Sequence, residues 1–552
     1  MTQKLKVDFN GLPLEVEAGT PIVSLLKDHP HPGSFPPLGA VVNQRPVGLS
    51  YELRAHAHIT TIDFSSREGM DIYRRTASLI LYAALLNVDP KARIVVGQSL
   101  SPTAYFFELP GKKVDPLFLK HLQEEMQQLI KNDLPILIDR TSVEDAAQRL
   151  KTIQAEDQIK LLYQLRVPEA VLVHVAKYVG LVHGPIAHRT GVIEQWNLFS
   201  YEHGLALDFP DEAGNITTKL PPQPKLFAAY VETKRWNDLV GVSTVADFNE
   251  HCMQGDIADL IRISEALHEK KIAAIADRIA AQPEIKLILI AGPSSSGKTT
   301  FAKRLSIHLK IHGINPIAIS LDNYYRPHKE TPRHPDGSFD YEHIDALDLP
   351  HFNQNLSALL EGKDVELPTY SFQIGERLAH KAKRIQLQKG QVLITEGIHG
   401  LNERVSESIP HAQKFKIFVS ALTQLCIDNH NRIFTTDARL CRRIVRDRLY
   451  RGSSAAETIA LWPSVRHGEI NYIFPFQEDA DAIFNSALVY EHAVLKPFSE
   501  RFLMEVPRNH PSFIEAMRLA RFFNLFIPIL PIEVPRTSII REFIGDSAFR
   551  YG

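Results

Sequence analysis

The chain has 552 residues, which at roughly 150 residues per domain allows three to four domains. With 44% hydrophobic and 23% charged residues it has ordinary globular composition, which excludes wholesale disorder. The formal charge of −2, from 62 Lys+Arg against 64 Asp+Glu, excludes a global basic field for nucleic acid. Cys252, Cys426 and Cys441 are too scattered for a disulfide framework or a four-thiolate zinc site. The longest apolar stretch, 522–532, is too short to span a bilayer and is broken by Pro528 and Pro531, so a cytoplasmic protein without membrane association is expected.

In chain order, KLKVDF and LPLEVEAG alternate polar and apolar residues around Asn10-Gly11, predicting a β-hairpin. A helix is predicted at 21–29, opened by Pro21, and a strand at AVVNQRPV. Residues 1–64 therefore read as a β-rich module. From 65 to 225 helices (REGMDIYRRTASLILYAALL, PLFLKHLQEEMQQLIKND) mix with strands (RIVVGQSL, AYFFEL, PILIDR), an α+β pattern. One long amphipathic helix is predicted over 244–281, within a helical connector at 226–284. From 285 to 500, KLILIA, PIAISLD, QVLITEG and KFKIFVS are continuous apolar runs separated by helical segments, the pattern of buried parallel strands in an α/β domain. Residues 501–552 read as a helical tail.

The strongest signal is Gly292-Pro-Ser294-Ser295-Ser296-Gly297-Lys298-Thr299, followed by Thr300, between an apolar strand and a helix. Small residues there let backbone N–H groups face a phosphate at a helix N-terminus. Lys298 suits the β/γ-phosphates and Thr299 a Mg²⁺ ion. Asp322 and Glu396 end the next two predicted strands, where carboxylates can take a proton or hold Mg²⁺. Five arginines and no lysine between 442 and 451, among them Arg443, Arg446 and Arg451, suit bidentate phosphate contact.

The segments GPSSSGKTT, SLDNYYRP, FDYEHIDALD, LPTYSF, ITEGIHG and RRIVRDRLYRG together resemble the uridine kinase and phosphoribulokinase family, over roughly 285–490. The resemblance implies an ATP- and Mg²⁺-dependent kinase acting on a nucleoside hydroxyl, typically of uridine or cytidine. It implies Asp322 as general base, Thr299 and Glu396 at the metal, and Tyr325, Asp345, Tyr370, Phe372 and Arg443 at the acceptor, with Asp345 gripping ribose hydroxyls. It also implies Arg446 and Arg451 over the phosphates, and allows a homo-oligomer. Three positions depart from the family: Gly375 stands where a base-contacting His belongs, Leu461 replaces a Gln, and Ser453 replaces a lid Arg. These departures put pyrimidine specificity in doubt while leaving the phosphoryl-transfer residues in place.

Residues 4–64 resemble a TGS domain, and 65–225, most clearly at YVGLVHGPIAHRTGVIEQWNLFS, the editing domain of threonyl-tRNA synthetase. Arg75, Leu79, Val182 and Ile186 stand at that domain's four metal-site positions, so neither zinc nor editing is carried over; His183 and His188 remain nearby. With the C-terminal PRTSIIREFIGDSAF, the resemblance extends to a group of uridine kinase-related proteins over nearly the whole chain. The expected fold is a β-rich TGS domain, an α+β editing-like domain and an α/β phosphate-loop kinase domain with a parallel sheet. Two other readings stay open: a nucleotide-switched regulatory protein binding RNA or tRNA through its front half, and a sugar-phosphate kinase of the phosphoribulokinase type.

Overall fold

The computed structural model describes residues 3–372, 374–378, 380 and 382–551. The chain divides into two compact units. One holds residues 1–222, 244–249 and 425–432, and the other 223–243, 250–424 and 433–552.

In the first unit, Lys4–Phe9 and Leu12–Glu17 pair antiparallel around Asn10 and Gly11, both at positive φ, as the Asn-Gly signal predicts. The helix that follows is only Ile22–Leu25. The run expected as one strand is a second hairpin, Gly39–Val42 with Arg45–Gly48, because Asn43 (φ 48°) and Gln44 (φ 69°) both take the left-handed conformation. Ala57–Ile62, not predicted, is the central strand of this sheet, parallel to Lys4–Phe9 and antiparallel to Gly39–Val42, and so joins the two hairpins. Helix Arg67–Val88 then buries Ile72, Leu79 and Ala83, and the strand Ala104–Glu108 pairs with Val95–Ser99 and Gly204–Asp208.

The segment 425–432, read from sequence as part of the α/β region, belongs to this first unit. It forms a short hairpin, Cys426–Asp428 with Asn431–Arg432. Asp428 is fully buried and bonds to His183 Nε2 at 2.9 Å and to the Asn431 amide at 2.9 Å. Burial pushes its pKa up, but hydrogen bonds and charge from His183 and Asn431 hold it below the usual carboxylate range. His430 stacks on Tyr82 with ring centroids 4.3 Å apart and bonds to the Tyr178 hydroxyl at 2.8 Å. Arg75, at one of the metal-site positions, donates to the Pro185 carbonyl at 2.5 Å, and Leu79 is core.

The second unit is built, among its described residues, on a parallel sheet of five strands. Their order is Asn315–Ser320, Gln391–Glu396, Leu287–Ala291, Lys414–Ser420 and Ala482–Asn485. Leu287–Ala291 is buried throughout, which is why it reads as a continuous apolar run. Ala482–Asn485 has only four residues and gave no signal of its own. The single helix expected over 244–281 is broken at Gly255 (φ 84°) into Val245–Gln254 and Ile257–Ala280. The latter is no separate connector. It packs on helix Lys298–Ile311, where the buried Arg304 donates to Glu269 at 2.6 Å. Among the described residues no helix is long and apolar enough to cross a membrane.

Candidate active site

Strand register assembles the site. In the parallel ladder Glu396 is level with Ser320 and with Ile290. Asp322 lies two residues beyond Ser320, and Gly292 two beyond Ile290, so two carboxylates and the phosphate loop meet at one carboxyl edge of the sheet.

In the loop, Ser295 (φ 59°) and Gly297 (φ 86°) are left-handed, a conformation that turns successive N–H groups toward one concavity. The hydroxyls of Ser295 and Ser296 are buried with no hydrogen-bond partner among the described residues. Orphaned donors at this place fit a bound phosphate. Lys298 Nζ donates to the carbonyls of Gly292 (2.9 Å) and Pro293 (3.2 Å). Burial lowers its pKa, while Glu396, Asp322 and Glu542 favour its charged form.

Desolvation by the surrounding protein raises the pKa of Asp322 against the pull of Lys298, Arg451 and Arg446. Glu396 accepts from the Ser320 hydroxyl at 3.3 Å, and burial plus the charge of Asp322 push it up to about 7. The two crowded carboxylates are hard oxygen donors of the kind a magnesium ion would neutralise, and the Thr299 hydroxyl follows Lys298 in the chain. Among the described residues no group of three or more His, Cys, Asp or Glu is gathered as a metal cage, and Mg²⁺ needs none where phosphates supply the remaining ligands.

The predicted lid arginines converge on Asp447. Arg443 and Arg446 donate to it at 3.1 and 2.9 Å, and Arg451 lies 3.7 Å away. Arg443 also donates to the Ser294 hydroxyl at 3.0 Å. Burial and the neighbouring Arg446 lower Arg451 to about 10. Arg448 turns outward to Glu505. Sequence reasoning missed Arg439, which stands outside the arginine run, and gave Arg442 no role of its own. Both are fully buried and donate to loop carbonyls, Arg439 to Ser294 (3.1 Å) and Arg442 to Ser295 (3.4 Å). Their counter-charges are Glu469 and Glu491. Glu469 lies 30 residues from its partner and Glu491 49, and nothing in the local pattern marks either.

Tyr325, Tyr370 and Phe372 form one aromatic cluster with centroids 5.0 to 5.7 Å apart; the first two are buried and Phe372 is half exposed. Asp345 does not join them. In the turn Ile344–Ala346 both flanking residues are buried, so the central carboxylate points outward to the exposed Arg404, at 2.6 Å. Arg404 holds its pKa below the usual range. The acids of this segment that turn inward are Asp340, buried and accepting the N–H groups of Glu342 and His343 at 3.1 Å, and Glu342 itself. Burial and the nearby Glu469 raise Glu342 to about 7. The departure at Gly375 has a visible occupant: a Cβ there would lie 2.1 Å from the ring of His328, which stacks on Phe339.

Residues 287–491 match the model of the Phosphoribulokinase / Uridine kinase family. Uridine-cytidine kinase B of Dictyostelium discoideum is 30% identical over 198 residues, covering 36% of this chain and 73% of that protein. The uridine kinase of Lactobacillus helveticus is 30% identical over 198 residues, covering 36% and 84%. The chain belongs to the phosphoribulokinase/uridine kinase family. It is a phosphotransferase with a hydroxyl acceptor, and kinases of this family use ATP and Mg²⁺. Among solved structures, the possible uridine kinase from Bacillus stearothermophilus is 16% identical, covers 39% of this chain and 97% of its own, and has a TM-score of 0.27. Residues before 287, from both units, and the tail after 491 lie outside the family match.

Proposed function

We propose that this chain transfers the γ-phosphoryl group of ATP to a hydroxyl of a nucleoside or nucleoside-like acceptor, with Asp322 as general base. The observation that carries the reading is Asp322 at the strand edge, beside Glu396 and in the field of Lys298, Arg446 and Arg451. A carboxylate whose pKa is raised accepts a hydroxyl proton more readily than an ordinary one. Lys298 exchanges its two loop carbonyls for the β/γ-phosphates, and Arg443, Arg446 and Arg451 close over the transferring group. Thr299 and Glu396 would hold Mg²⁺, which would neutralise charge on the phosphates. Tyr325, Tyr370 and Phe372 offer ring faces to a planar acceptor. Glycine at 375 and leucine at 461 leave base recognition to other groups than the family's usual ones. What supports reading the first unit as TGS-like and editing-like modules is the residue resemblance of its sequence.

The test is ATP consumption by the full chain with Mg²⁺ over nucleosides, ribose derivatives and sugar phosphates, beside Asp322→Asn. Loss of a general base lowers turnover by about 10²–10⁴-fold with nucleotide binding kept. Undiminished turnover by Asp322→Asn removes Asp322 from the mechanism. Turnover of a sugar phosphate and of no nucleoside replaces the acceptor assignment.

A further inference from the structure

The last part of the tail, beyond the family match, folds back onto the phosphate loop. Val534, Ile539, Ile540 and Phe543 are buried, and Arg541 fixes the turn by donating to the carbonyls of Pro531 (2.6 Å) and Val534 (2.8 Å). Ile539 lies against Gly297, where a Cβ would come 2.5 Å from its Cγ2. This packing sets Glu542 at the first turn of helix Lys298–Ile311. One of its carboxylate oxygens accepts both the Thr300 backbone N–H, at 3.2 Å, and the Thr300 hydroxyl, at 2.6 Å. The Tyr551 hydroxyl joins Thr300 at 2.9 Å.

The first N–H groups of a helix have no partner within it and carry partial positive charge. In a phosphate loop they are the donors that cradle the nucleotide's phosphates. Here one of them, with its side-chain hydroxyl, is already satisfied by an anion of the protein itself. The charge of Glu542 is also felt by Lys298 and Glu396, the two groups flanking the phosphate position.

We propose that Glu542 sets the affinity of the phosphate-donor site: its carboxylate stands in for a nucleotide phosphate oxygen on Thr300, and nucleotide binds as that side chain swings away. The inference rests on the loop's being the nucleotide site, as argued above. The displacement it needs is small. Arg541, Phe543 and Ile544 are anchored in the core while Glu542 is partly exposed, so a rotamer change frees Thr300 without unpacking the tail. Apparent affinity is the intrinsic affinity scaled by the fraction of molecules in which Thr300 is free.

ADP titrated calorimetrically into the full chain, wild type against Glu542→Gln and Glu542→Asp, tests this. The amide keeps the size but loses the charge; the aspartate keeps the charge but falls short of Thr300. Both are expected to bind ADP about tenfold more tightly, a charge-assisted contact having been removed from the unliganded state. Glu533→Gln, on the exposed face of the same tail where it meets Arg262, serves as control and leaves the affinity at the wild-type value. Unchanged or weaker ADP binding by both Glu542 variants, with a wild-type thermal midpoint, overturns the inference. Absence of ADP binding by the wild type and the variants alike overturns the nucleotide-site reading and this inference with it.

Discussion

Removing the Arg442 guanidinium separates two roles that the structure combines. Arg442 and Glu491 are both fully buried; Arg442 donates to Glu491 at 2.5 Å, to the Ser486 carbonyl at 2.8 Å and to the Ser295 carbonyl at 3.4 Å. Arg442→Met leaves the Glu491 carboxylate buried without its counter-charge, a loss of about 3–5 kcal/mol. Arg442→Met with Glu491→Leu removes both charges. It still strands the Leu488 amide that Glu491 accepts at 2.9 Å, which costs about 1–3 kcal/mol. The double variant is therefore expected to be more stable than the single one by about 2 kcal/mol, the difference between those two terms. Hydrogen exchange of the slowest amides in helix Thr435–Arg446 measures this locally, without assuming that the whole chain unfolds in one step. ADP affinity behaves differently, because both variants lose the hold on Ser295 in the phosphate loop, so both bind ADP equally weakly. A double variant no more stable than the single one would refute the charge argument. A double variant with restored ADP affinity would refute the role of Arg442 in shaping the loop.

Gly375→Ala must place a Cβ at φ 71° and 2.1 Å from the His328 ring. The left-handed backbone costs about 1–2 kcal/mol and the overpacking about 1–3 kcal/mol. Acceptor KM should rise with ATP KM unchanged, and equal effects on both would show that the site moved as a whole. Glu342 has a folded-state pKa raised to about 7, so the stability tied to its protonated form is present at low pH and is lost as pH rises through 7. The thermal midpoint of Glu342→Gln relative to wild type is accordingly expected to climb between pH 5 and about 8, and a pH-independent difference would contradict the assignment.

How far the site could be read from sequence follows from the range of each interaction. The phosphate loop announces itself because its chemistry needs small residues, a lysine and a hydroxyl at consecutive positions between a buried strand and a helix. Asp322 and Glu396 follow from the rule that ligands sit at carboxyl ends of parallel strands. The resemblance points to Asp345 in FDYEHIDALD, and spacing alone does not tell that the turn Ile344–Ala346 directs this carboxylate outward while Asp340 is buried. Arg439 with Glu469 and Thr300 with Glu542 lie beyond local pattern altogether, the second pair 242 residues apart. In the first unit Asn10-Gly11 marks its turn plainly, whereas Asn43-Gln44 lacks the glycine that marks such turns and reads as the middle of a strand.

The hairpin at 425–432 changes what it means to isolate this kinase. The chain enters and leaves each compact unit more than once, so no single cut in the gene yields either one intact. A fragment trimmed to the family match at 287–491 would carry a strip whose Leu425, Cys426 and Asp428 are core residues of a body left behind. Such a fragment would expose apolar surface and an unmatched buried acid, Asp428, seven residues before the helix that carries Arg443 and Arg446 begins. Any shuffling of catalytic modules in the ancestry of this chain therefore had to bring the eight-residue strip and its host together, or to adapt one to the other afterward.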